Sequence, residues 1–151
     1  AKVRIGNESP VLMTLATIDK DLFTWISSDF VKIITKHGKI IKTFGLEHDI
    51  EYLDAIKFTG LYSDKRSALV EVREPHAIFS QDIIVEQLAD RDIYTARQYK
   101  AKYFAEDFIT NTYIWSSTNY YALDPSSELV IWSHQHIHPY IPSIEMTFYY
   151  K

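Results

Sequence analysis

No cysteine occurs among the 151 residues, so disulfide staples and thiolate chemistry are both closed to this chain. That suits a cytosolic protein and, equally, a periplasmic one that needs no staples. Glycine is scarce, at four residues, none spaced as a Walker-type or G-x-G-x-x-G phosphate cradle requires, and a flexible Gly-rich linker between domains is not expected. No stretch reaches the roughly 18 apolar residues of a membrane span. No charged, apolar, small-residue signal segment opens the chain. The first residue is Ala1 rather than Met, so the expectation is a processed or truncated piece with its targeting segment upstream. Sixteen basic residues against 20 acidic ones give a net charge of −4, and the basic residues stand singly or in pairs. Without a concentrated basic face to displace phosphate counterions, nucleic acid is not an expected partner, and no polybasic patch serves a membrane surface.

What is present is aromatic. Eleven Tyr, eight Phe and three Trp sit in a chain that is 46% hydrophobic and 24% charged. Aromatic and β-branched residues favour pleated surfaces. A chain of this length suits one domain and can remove roughly 70% of its unfolded surface from water.

Period-two patterning runs through most of the sequence. Val11 to Ile18, the turn Asp19-Lys20-Asp21 and Leu22 to Ile26 read as a hairpin. Val31 to Thr35 and Lys39 to Phe44 flank His37-Gly38, where glycine can adopt positive φ. Ala68, Val70 and Val72 alternate with Leu69, Glu71 and Arg73, giving one dry and one mostly wet face. Asn119 to Leu123 leads into the turn Asp124-Pro125-Ser126-Ser127, and Leu129 to Ile137 returns as a strand. Ile144, Met146, Phe148 and Tyr150 mark a terminal strand. Ile50 to Phe58 and Asp90 to Phe108 fit a helix or a strand, with one helix at most expected there. The pattern predicts a mainly β single domain over residues 1–151: a curved antiparallel meander or half-open barrel with at most one or two short helices.

One constellation invites metal chemistry. In His134-Gln135-His136-Ile137-His138, alternate residues on a strand share a face, with neighbouring imidazoles about 6.6 Å apart at Cα and the outer pair about 13 Å. With Zn–N bonds near 2.1 Å, two of them could share an ion but three could not. A site therefore needs a further ligand such as His76 or Glu145, and a row of polar rings on a half-wet face accounts for the motif without metal. No cofactor is expected. The acid pairs Glu71 with Glu74, Glu86 with Asp90, and Asp90 with Asp92 read as solvated surface groups, since sequence proximity alone does not build a two-carboxylate cleft. No serine occupies a G-x-S-x-G elbow. Rings concentrate in the last third, with Tyr113 near Trp115, then Tyr120, Tyr121, Trp132, Tyr149 and Tyr150. Most such rings fill a small β core, but in the doublets Tyr120-Tyr121 and Tyr149-Tyr150 one ring of each must face away from it. Trp115, Tyr120, Tyr121, Trp132, Tyr149 and Tyr150 are the candidate binding residues.

Two stretches carry a family resemblance. One is Val11 to Phe44, with Trp25-Ile26, Val31 and the run Ile34-Thr35-Lys36-His37-Gly38-Lys39-Ile40-Ile41-Lys42-Thr43. The other is Asn119 to Phe148, with Asn119-Tyr120-Tyr121-Ala122-Leu123-Asp124 and the strand after Pro142. Together they resemble the YjbF/GfcB-like lipoproteins encoded with capsule or exopolysaccharide export genes. The resemblance implies an outer-membrane lipoprotein whose folded part faces the periplasm, held to the membrane through an upstream lipid anchor. It implies a non-catalytic role in capsule production, with polysaccharide export or assembly proteins, or glycan itself, as partners. The alternatives are a carrier of lipid or another hydrophobic ligand, and a metal-dependent hydrolase using His134, His136 and His138.

Overall fold

A computed structural model describes residues 1–55, 65–111 and 115–150 of the chain. Among the described residues, thirteen strands form one antiparallel sheet. The N-terminal strands are β1 (Lys2–Ile5), β2 (Val11–Leu12), β3 (Thr14–Asp19), β4 (Leu22–Ile26), β5 (Lys32–Lys36), β6 (Lys39–Phe44) and β7 (Ile50–Tyr52). The rest are β8 (Lys65–Val72), β9 (Ala77–Tyr94), β10 (Gln98–Thr110), β11 (Ser116–Leu123), β12 (Val130–Gln135) and β13 (Ile144–Thr147). Their spatial order is β2-β1-β13-β12-β11-β10-β9-β8-β7-β6-β5-β4-β3. The end strands β2 and β3 are separated in sequence by Met13 alone, so the sheet curls almost into a closed barrel.

The turns follow the predicted chemistry. Lys36 pairs with Lys39 across His37-Gly38, and both central residues have positive φ, at 48° and 77°. That is the two-residue turn whose twist matches a right-handed strand pair. A Cβ on Gly38 would meet all three side-chain carbons of Val130 at 2.4 to 2.7 Å, because this turn packs directly against β12. Gly38→Ala is therefore expected to lower stability by about 1–3 kcal/mol, through overpacking added to a left-handed backbone. Urea denaturation checks this, and a loss below about 0.5 kcal/mol would mean that the turn and β12 separate at little cost.

One sequence reading needs correction. Val11 to Ile18 is not one strand. The chain crosses from one sheet edge to the other at Met13, whose N–H bonds the Ala1 carbonyl at 2.8 Å while Thr14 already pairs with Ile26. The segment Asp90 to Phe108 is extended throughout, apart from a turn after Tyr94. This settles the open choice between helix and strand: the segment belongs to the long β9–β10 hairpin, in which pairing with Arg91 outweighs the helix propensity of Ala101, while Ala96 lies at the hairpin tip. No α-helix occurs among the described residues. Ile50 to Tyr52 is strand, and 56–58 fall outside the described residues.

The interior is filled by side chains from both halves of the sheet. Trp25 of β4 lies 5.5 Å from the Phe148 ring, and its indole N–H donates to Thr35 Oγ1 at 3.0 Å. Ile33, Ile40, Ile83, Tyr121, Ile144 and Met146 are fully buried around them. A second, smaller cluster of Ala101, Tyr103, Ala122 and Ile131 packs separately, with Leu88, Tyr99, Tyr120 and Trp132 around it. It occupies the outer face of β10–β12.

Candidate functional site: a sealed ion cluster and an outer aromatic face

Alternation along β10 sends Phe104, Glu106 and Phe108 inward, so a carboxylate stands in the core with no exposed surface. Around it converge Lys39 from β6, Arg66 from β8, and Asn119 and Tyr121 from β11. Lys39 Nζ donates to Glu106 Oε1, Arg66 Nη2 to Oε2 at 2.5 Å, and Asn119 Nδ2 to Oε1 at 2.9 Å. The Tyr121 hydroxyl lies 3.2 Å from Glu106 Oε1 and 3.3 Å from Gln135 Oε1. Gln135 is fully engaged besides. Its Oε1 accepts the Ile40 N–H at 2.9 Å, and its Nε2 donates to the Gly38 carbonyl and Ser133 Oγ at 2.9 and 2.8 Å. Lys39 also sits 4.8 Å from the centroid of Tyr52, whose hydroxyl donates to Gln81 Oε1 at 2.8 Å.

Charge balance decides the chemistry here. Burial alone would raise the Glu106 pKa, but Lys39 and Arg66 outweigh it and bring it down to about 2. On Lys39 burial wins instead and lowers the pKa, with Glu106 opposing. Burial and then the Glu106 charge push the Tyr52 and Tyr121 phenols up, so both stay neutral. A carboxylate this acidic and this enclosed makes a poor general base, and neutral phenols make poor acids. Glu106 and the groups bonded to it tie four strands, β6, β8, β10 and β11, together across the barrel. The cluster does not present a reacting group.

The outer face is different. Ala101 and Ala122, both fully buried, form a floor of small side chains beside the rings. Tyr103 lies nearly parallel to Tyr120, at 5.7 Å and 11°, and to Trp132, at 6.2 Å and 26°. The series continues to His134, 6.3 Å from Trp132 at 9°, and to His136, perpendicular to His134 at 5.4 Å. The Arg91 guanidinium stands 4.5 Å from the Tyr103 centroid and that of Arg97 4.6 Å from the Tyr99 centroid. Such cation–π pairs keep cationic charge beside the rings.

The six candidate rings therefore divide. Tyr120 and Trp132 share this outer face and are half-buried, while Tyr149 is exposed but stands apart from them. Tyr121 is sealed inside, a correction that follows from its alternation with Tyr120. Tyr150 is also turned in, stacked on Phe148 at 5.9 Å, with its pKa raised by burial. Trp115 packs edge-on against Phe108 at 4.8 Å and is half-buried at the core margin. Tyr113 lies outside the described residues.

The histidine row also breaks. Strand β12 ends at Gln135, and the His136 N–H bonds Asn119 Oδ1 at 2.7 Å rather than continuing a ladder. His134 and His136 stay neighbours, but His138 turns inward to 2% exposure and stacks on His48 at 4.7 Å. Glu145 faces His134 across the register but pairs with Arg4 at 2.6 Å, and His76 is held by Glu71 at 2.8 Å. Among the described residues, no group of three His, Cys, Asp or Glu is placed to hold a metal ion.

The family model for the YjbF group 4 capsule polysaccharide lipoprotein matches residues 1–149. The chain belongs to this family. The crystal structure of the hypothetical lipoprotein YmcC from Escherichia coli (K12) superposes with a TM-score of 0.84 at 17% identity. The match covers 97% of this chain and 80% of that one, and it establishes a shared fold. No curated protein matches the chain.

Sequence reading passed over Lys39, Arg66 and Glu106. The usable signal was Glu106, the one acid at inward parity in the apolar stretch Tyr103 to Phe108. A core carboxylate demands a buried cation, and Lys39 beside Ile40 and Ile41 answers that demand.

Proposed function

We propose that this chain is the non-catalytic, periplasm-facing domain of an outer-membrane lipoprotein serving capsule polysaccharide production, and that it holds glycan on its outer aromatic face. Membership of the capsule polysaccharide lipoprotein family supports the setting. The single observation that supports the binding mode is the pair of half-buried rings Tyr120 and Trp132, each stacked nearly parallel to the buried Tyr103 beside Arg91, on the outer face of the sheet. Ring faces suit the C–H faces of sugars, and guanidinium groups suit their hydroxyls and carboxylates. The non-catalytic part rests on the sealed ion cluster, which leaves its carboxylate out of reach of any substrate.

A lipid carrier needs an open lumen, and Trp25, Ile40, Tyr121, Met146 and Phe148 occupy the interior. The test uses a strain lacking the gene, complemented with the full-length lipoprotein. The wild-type chain restores surface capsule and the double variant Tyr120→Ala/Trp132→Ala does not, at equal protein level. In calorimetric titration with oligosaccharides from that strain's own capsule, the double variant binds about tenfold more weakly, the size expected for two lost ring contacts. Equal binding by both chains, or an unchanged capsule on deletion, overturns the reading.

A further inference from the structure

The sheet does not fully close, and the seam is apolar. Between β1–β2 on one side and the β4–β5 turn on the other lies a cleft of about 140 Å³, lined by Val3, Val11, Met13, Val31, Ile33 and Leu46. A second recess of about 410 Å³ shares Ile5, Glu8 and Leu46 with it. Neither lining contains a lysine or an arginine, whereas Glu8 and Asp29 border the first and Glu8 and Glu47 the second. A hydrogen bond from the Ser27 side chain, and then a backbone one, keep the Asp29 carboxyl below its usual range.

Large apolar side chains stand in water beside the cleft. Leu12 is 74% exposed and Phe30 is 79% exposed, and both sit next in sequence to lining residues. Phe30 also carries a φ of 67°, a conformation that costs a bulky residue and that nothing in its packing repays. The turn enforces it: the Ser27 N–H bonds the Val31 carbonyl, the Val31 N–H bonds Ser27 Oγ, both at 3.0 Å, and the Phe30 N–H bonds the Ser27 carbonyl at 3.2 Å. Alongside, among the described residues β2 pairs only with β1, and β3 only with β4, leaving one open backbone edge on each. Open edges accept an added strand.

We propose that this seam docks an extended segment of a partner protein, with one apolar side chain seated in the cleft and flanking Lys or Arg residues against Glu8, Asp29 and Glu47. Charge selects this occupant. An anionic lipid surface is repelled by the acidic rim, and a second copy would set two acidic rims against each other. A glycan finds few donors among these lining groups. The proposal concerns a surface other than the aromatic face and stands whether or not that face binds glycan.

The probes are a fluorescent Lys-Val-Lys-Leu-Lys-Val peptide and its Glu-for-Lys twin, read by anisotropy. The basic peptide is expected to bind at least about tenfold tighter, and to weaken as salt rises from about 50 to about 300 mM. Glu8→Gln/Asp29→Asn weakens it about tenfold with an unchanged melting temperature. Phe30→Gly weakens it comparably while the melting temperature holds or rises, because glycine accepts this backbone freely. Equal affinity for the two peptides, or binding of neither, overturns the proposal. So does flotation of the protein itself with phosphatidylglycerol vesicles, or sedimentation as a dimer that Phe30→Gly dissolves.

Discussion

Replacing Glu106 by leucine is expected to remove roughly 3–5 kcal/mol of folding stability, because it strands the Lys39 ammonium as an uncompensated buried charge. Lys39 is 2% exposed and Glu106 is not exposed at all, so water cannot take over the lost pairing. Arg66 also loses its carboxylate partner, but its side chain is 13% exposed and can turn toward solvent more readily. Removing both ends of the buried pair should cost far less than removing one: Lys39→Met/Glu106→Leu is expected to recover most of the loss, since an apolar pair of similar volume avoids the desolvation of two ions. Guanidinium denaturation of both variants checks this. A single-variant loss below about 1 kcal/mol would mean that water reaches the cluster.

The same carboxylate sets an acid limit. Its folded pKa of about 2 lies below the ordinary glutamate value, so the folded state favours the ionised form. That contribution is complete above about pH 4.5 and disappears as pH falls toward 2. Glu106→Gln should flatten this part of the stability curve, at lower stability throughout.

Much of the fold was legible because an antiparallel sheet writes itself as a period of two. The His37-Gly38 turn, the alternation of Ala68, Val70 and Val72, and the return of Leu129 to Ile137 all map onto β5–β6, β8 and β12. What escaped were relations that the local period does not encode. Nothing near Met13 signals that the chain changes edge there, because that depends on the closure of the whole sheet. The β9–β10 hairpin was obscured by alanines that favour helix in isolation and strand when a partner runs alongside. At the candidate site, parity separated the faces but did not say which was core. Tyr120 and Tyr121 are equivalent until the inward position of Glu106 and Gln135 selects Tyr121. His138 left its row because the strand ends before it, at Gln135, and Pro139 follows it.

Acid should loosen one end of the barrel before it reaches Glu106. The Tyr140 N–H donates to His138 Nδ1 at 3.1 Å, which places the ring proton of the neutral form on Nε2. That nitrogen is buried without a partner among the described residues. His48 stacks on the same ring within 5° of parallel, with its Nδ1 2.5 Å from the Glu74 carbonyl. A proton on His138 Nδ1 would oppose the Tyr140 N–H and place a cation against a second imidazole. Burial first, and His48 second, accordingly bring the His138 pKa down to about 4. The sign follows directly. The folded state prefers the neutral ring, so this contribution is complete above the unfolded value near 6.5 and is lost as pH falls through about 4. The full shift corresponds to about 3 kcal/mol, and solvent at the exposed Tyr140 side screens it to roughly 1–2 kcal/mol. His138→Phe keeps a ring against His48 and removes the titration. It should be less stable at pH 7 by about 1 kcal/mol, from the unanswered Tyr140 N–H. Its stability should then change little between pH 6.5 and 4.5, where the wild-type curve descends. Parallel curves for the two chains would mean that the imidazolium is accommodated in the folded state, with the His48 stack open.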